Sequence, residues 1–157
     1  MSQNRNNDRM MSAISTGFFF VLVGAIFLST PDLVDKASSF FDDFTIIAYP
    51  SIANFYVPAP ASVSSHLEVY LAAEKFSLIW GIFEILTLGL KFAFHSSSHS
   101  KAQNISDIAF WLGTSYLISL FLTPQATITT WLVFWSMEII LLGASQIIKA
   151  IALAVSK

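Results

Sequence analysis

Two carboxylates stand inside long apolar runs: Glu84 in FSLIWGIFEILTLGLKF and Glu138 in WLVFWSMEIILLGASQII. An ionised carboxylate at the centre of a lipid-embedded helix costs about 3 kcal/mol or more, so each must face protein or water. Three chemistries fit. Each acid can be uncharged and hydrogen-bonded across helices, adding about 0.6 kcal/mol of adhesion. The pair can exchange a proton or pass a cation, because two neighbouring carboxylates resist ionising together. One acid can instead meet a basic or hydroxyl group on a partner subunit. At 100° per residue Glu138 lies within about 20° of Ser145 and Lys149, with Trp131 and Trp135 leaning the same way. Glu84 aligns similarly with Lys91.

Histidine chemistry is sparser. His95 and His99 in HSSSHS are four apart, a spacing that suits a metal on a helix, but the serine-rich setting reads as a loop. A closed zinc site needs four ligands and no others are nearby, so no metal site is expected. No histidine falls inside an apolar run, which leaves a bis-histidine haem without ligands, and the Glu-x-x-His pairs of di-iron bundles are absent. No cofactor is expected. The chain has no Cys, which excludes disulfides, thiolate nucleophiles, Cys-ligated zinc and iron–sulfur clusters. No nucleophile and base stand together, so no catalytic residues and no enzymatic activity are expected.

The elements that position these groups must sit in lipid. Of 157 residues 55% are hydrophobic, only 11% are charged and fifteen are Phe, too apolar a balance for an ordinary soluble domain. A net charge of -2 supplies no basic field for nucleic acid. Four apolar stretches, about 13–30, 76–94, 105–123 and 128–149, each approach the length that crosses a bilayer. They predict an all-α membrane protein, a single domain over 1–157 with four transmembrane helices and lipid as its solvent. The first stretch also resembles a signal peptide. Phe27-Leu28-Ser29-Thr30 before Pro31 lacks a small-x-small cleavage site, which predicts a retained helix.

Helix ends and direction follow. Ser65-His66-Leu67-Glu68 reads as a capping box, and Asn104, three residues before Asp107, reads as the cap of the third span, which ends at Pro124. Glu74 and Lys75 read as interfacial charges. Arg5, Arg9, Lys91, Lys101, Lys149 and Lys157 fall on one side and Lys36 and Lys75 on the other, so both termini of a multi-pass cell-membrane protein are placed in the cytoplasm. The sequon Asn104-Ile105-Ser106 then lies on the wrong side for glycosylation and is discounted. Gly17 with Gly24, Ala13 with Gly17, and Gly143 with Ala150 share helix faces and predict close-packed seams. The second and fourth spans run in the same direction, so a four-helix bundle would bring Glu84 and Glu138 into one interior at similar depth.

Residues 31–64 form the one long external segment. Thr30-Pro31-Asp32 suits a helix start. Leu33, Val34, Ala37, Phe40, Phe41 and Phe44 recur at helical spacing, with Asp32, Asp35, Lys36, Asp42 and Asp43 mostly opposite. An amphipathic helix is expected, followed by extended or turn structure through TIIAYPSIANFYVPAPA, where prolines disfavour helix. Phe40, Phe41 and Phe44 either pack as a lid on the bundle or form a docking surface for a partner.

FFDDF, VPAPA, FWLGTSYL and WLVFWSMEIILLGASQIIKA together resemble a group of small uncharacterised four-span membrane proteins of archaea. That resemblance implies a four-span architecture in an archaeal cell membrane, and it carries no active residues to transfer. The function expected from the residues is an accessory or structural subunit of a larger membrane assembly, joined to other membrane subunits or to its own copies. The alternative is a small proton- or cation-coupled transporter or channel working through Glu84 and Glu138. The spans offer few polar residues for a continuous wet path, which favours the subunit.

Overall fold

A computed structural model describes residues 2–49 and 54–155. Pro50 and Ser51, in the segment 31–64, and the terminal Lys157 lie outside the described residues. Five helices and one hairpin follow in order: α1 (Ser2–Ser29), α2 (Leu33–Asp42), β1 (Phe44–Ala48), β2 (Tyr56–Pro60), α3 (Leu67–Ala93), α4 (Ser98–Phe121) and α5 (Ile128–Val155). Three helical stretches, Arg9–Ser29, Val63–Ala93 and Ile128–Val155, are long and apolar enough to cross a membrane. α4 is less apolar than α3 and α5, and it carries Asn104, Ser106 and Thr114, each of which bonds to a neighbouring helix.

Helix packing runs α1–α3–α4–α5, with α4 flanked along its length by α3 on one side and α5 on the other. Glycines make the close approaches at two points. A Cβ on Gly81 would lie 2.5 Å from Leu112 Cδ2 and 3.2 Å from the Leu112 backbone nitrogen, and one on Gly113 would lie 2.7 Å from Leu141 Cδ1. The seams expected at Gly17, Gly24 and Gly143 are not the tight ones, since a Cβ at any of them meets nothing within 4 Å. Spacing alone shows that small residues share a face, not which face a neighbour covers.

Several helix starts differ from expectation. α1 closes with the Thr30 amide donating to the Ile26 carbonyl, and α2 begins only at Leu33, after Asp32 turns the chain at φ 56°. Thr30 and Pro31 therefore belong to the turn rather than to the first helical positions. The Ser65–Glu68 capping box does not form. Ser65 lies inside a 3₁₀ turn, Val63–His66, where its hydroxyl donates to the Ser62 carbonyl at 2.6 Å, and Glu68 pairs with Lys36 instead. α4 begins at Ser98 and not near Asn104, because the Ser97 hydroxyl accepts from the Ser100 amide at 3.2 Å. The serine run that reads as a loop is thus partly a cap and a first turn. α5 opens on a capping box with threonine in both roles: the Thr130 hydroxyl accepts from the Thr127 amide at 2.8 Å and the Thr127 hydroxyl from the Thr130 amide at 3.3 Å.

α2 and the hairpin close over one end of the helices. The strands pair antiparallel, Phe44 opposite Pro60 and Ala48 opposite Tyr56. Beneath them an apolar core gathers Ala59, Val63, Tyr70, Ile118, Trp131 and Phe134.

Candidate functional site

Glu84 and Glu138 are both buried, 6% and 9% exposed, and each faces α4. Glu84 lies against Asn104, whose Nδ2 donates to the carboxylate and, at 3.0 Å, to the Glu84 backbone carbonyl. Glu138 accepts from the Thr114 hydroxyl at 3.1 Å through one oxygen, while its Oε1 has no partner. Asn104 and Thr114 are ten residues apart on one helix, about 15 Å of rise. The acids therefore occupy separate seams at different depths and not one interior, because α4 stands between the helices that carry them. Ser145, on the face of α5 that Glu138 shares, is buried too, and its carbonyl accepts from the Ser106 hydroxyl at 2.8 Å.

Sequence reasoning assigned Asn104 and Asp107 to a cap. In the structure both lie well inside α4, where Asn104 is fully buried and Asp107 accepts from Gln103 at 2.7 Å. Thr87, one turn after Glu84 on α3, is also buried and its hydroxyl has no partner. The signal for these residues was available: polar side chains within apolar runs, three apart on one helix or facing an acid on the next. Lys91, expected beside Glu84, donates to the Ser100 carbonyl at 3.4 Å. His95 sits in the α3–α4 turn at φ 53° and His99 in the first turn of α4.

A second constellation lies at the covered end. The Asp43 carboxylate accepts from the Ser62 amide at 2.8 Å and meets His66 Nε2 at 2.9 Å, so one side chain ties the end of α2 to the turn before α3. The hydrogen bond to His66, followed by that from Ser62, holds the Asp43 carboxyl below the usual range for an aspartate. Beside it a cleft of about 470 Å³ is lined by Lys36, Ser39, Ser65, His66, Glu68 and Val69.

The three phenylalanines at the end of α2 and the start of β1 divide. The Phe40 ring packs edge-on to His66 at 5.2 Å, Tyr70 at 5.9 Å and Trp131 at 6.0 Å, so it is anchored in its own molecule. Phe44 begins β1 and touches Trp131 at 6.0 Å, because α2 ends before it. Phe41 is 71% exposed and Ile46 on β1 is 74% exposed. No family model, curated protein or solved structure matches this chain.

Proposed function

We propose that the chain is an accessory or structural subunit of a larger membrane assembly, without catalytic activity of its own. In this reading α1, α3, α4 and α5 are four spans, both termini are cytoplasmic, and α2 with the hairpin stands outside. α4 crosses despite its polar residues because α3 and α5 receive them, so they are not presented to lipid. Its 24 residues give about 36 Å of rise, enough for the hydrocarbon layer.

The observation that carries the reading is the stagger of the acids. A transporter using Glu84 and Glu138 together needs them to share a wet path, whereas about 15 Å of α4 separates the residues that bind them. Phe110 and Trp111 fall within that interval. Each acid with its α4 partner acts as adhesion between two helices. The exposed Phe41 and Ile46 form the external surface on which another subunit docks.

Purification of the native protein in mild detergent, with identification of everything that migrates with it, tests this. A particle of defined composition that contains other polypeptides is expected. A lone species of the chain's own 17.3 kDa would overturn it.

A further inference from the structure

Glu84, Thr87 and Asn104 are 6%, 2% and 0% exposed, and the hydrogen bonds from Asn104 to Glu84 cross the α3–α4 seam. Glu84 and Thr87 are three apart on α3 and so are neighbours on its surface. The bond from Asn104 Nδ2 to the Glu84 carbonyl brings the amide beside the following turn of α3, where Thr87 stands. A count of donors against acceptors does not balance here. Asn104 has two N–H donors, and its Nδ2 bonds to two Glu84 oxygens. The Asn104 carbonyl Oδ1 and the Thr87 hydroxyl oxygen have no partner, although buried polar atoms are almost always partnered.

Nor is the carboxylate neutralised by contact. The close acid–base contacts among the described residues are Lys36–Glu68 and Asp43–His66, neither of which involves Glu84. Lys91 is two turns along α3 and reaches away to the Ser100 carbonyl, so its charge acts on Glu84 at longer range, as does that of Asp107. Lys149 of α5 acts on Asp107 in the same way. Three oxygen-bearing side chains, one negative charge and surplus lone pairs suit a hard cation. Charge selects its valence, because a divalent ion takes six or more oxygens and usually several carboxylates. The Glu138 seam is poorer, with one hydroxyl beside the acid and no amide.

We propose that Glu84, Thr87 and Asn104 form a binding site for a small monovalent cation in the α3–α4 seam. Sodium and hydronium present the same chemistry, a single positive charge among oxygen donors. Occupancy supplies the missing partners and locks the two helices together. The site holds for the chain alone and does not depend on its being a subunit.

The test is thermal unfolding of the purified chain in detergent, with ionic strength held constant by choline chloride. If sodium is the ligand, replacing choline by sodium at about ten times its dissociation constant raises Tm by about 3–6 °C, and potassium does less. If hydronium is the ligand, acidification in choline raises Tm and sodium adds nothing. Glu84→Gln and Thr87→Val abolish the response in either case, whereas Thr87→Ser and the exposed Ser119→Ala keep it. If Thr87→Val does not fold, Glu84→Gln and Thr87→Ser carry the comparison. A parent indifferent to both sodium and acid overturns the proposal. So does an acid response that survives in Thr87→Val, since protonation of Glu84 alone needs no hydroxyl.

Discussion

Asp43 shows how much one side chain can organise. It closes α2, and its carboxylate receives the Ser62 amide and His66. Because those hydrogen bonds depress its folded pKa, its contribution to stability is fully present above the unfolded value and is lost as pH falls through the folded one. The window therefore lies from about pH 4 downward. Thermal unfolding in detergent between pH 6 and pH 3 is expected to show Asp43→Asn less stable than the parent at pH 6, with the difference shrinking towards pH 3. A constant difference would show that the carboxylate charge is irrelevant. At the same scale, Gly81→Ala forces a Cβ against Leu112, side chain and backbone together, and is expected to destabilise by about 1–3 kcal/mol. Gly89→Ala meets nothing within 4 Å and, on helix propensity alone, should be neutral or stabilising by about 0.5–1 kcal/mol. Parallel unfolding of the two variants checks the contrast.

Among the elements, α2 separates two roles that look alike in sequence. Phe40 and Phe41 are adjacent, but a helix advances 100° per residue, so one ring points at Tyr70 of α3 and Trp131 of α5 and the other away from them. Phe40→Ser should lower the protein's own stability by about 2 kcal/mol, through loss of its contacts with Tyr70 and Trp131. Phe41→Ser should leave Tm nearly unchanged, since an exposed substitution is usually worth less than about 0.5 kcal/mol. On the proposed docking it should instead release the co-purifying subunit. Measuring Tm and partner recovery for both variants decides the point: recovery unaffected by Phe41→Ser per folded molecule would remove this face from the interface. α4 is the other informative element, less apolar than its neighbours because it supplies hydrogen bonds to both.

For the whole molecule, the order α1–α3–α4–α5 alternates direction. The Asn7 side chain donates to the Phe94 carbonyl at 2.8 Å, which puts the start of α1 beside the end of α3. The proposed topology then makes a plain forecast. A cysteine at Ser97, in the α3–α4 turn, should be labelled only from the cytoplasmic side. One at Ser64 or Ser51, in the external segment, should be labelled only from outside, following the six-to-two division of Lys and Arg. Intact cells treated with a membrane-impermeant maleimide provide the measurement. Labelling of Ser97 from outside would overturn the proposed orientation, and labelling of Ser97 and Ser64 from the same side would remove α3 from the set of spans.

Local pattern determined the helical class. Runs of Leu, Ile, Phe and Val long enough to span hydrocarbon are helices whatever they pack against, because only intrasegment hydrogen bonds satisfy the backbone there. The same logic marked Glu84 and Glu138 as groups needing partners and placed extended structure in the proline-bearing segment. Which partners they have was a matter of tertiary structure. The helical repeat shows that Glu138 and Ser145 share a face, but the neighbour of that face depends on how whole helices dock. Docking set α4 between the acids, gave Asn104 to one and Thr114 to the other, and left Thr87 buried on α3 without a partner. Caps failed for a related reason. Ser65, Glu68 and Asn104 have the right types at the right spacing, but a preceding 3₁₀ turn, an ammonium on α2 and a carboxylate on α3 draw them elsewhere, and those competitors are close only in the folded chain.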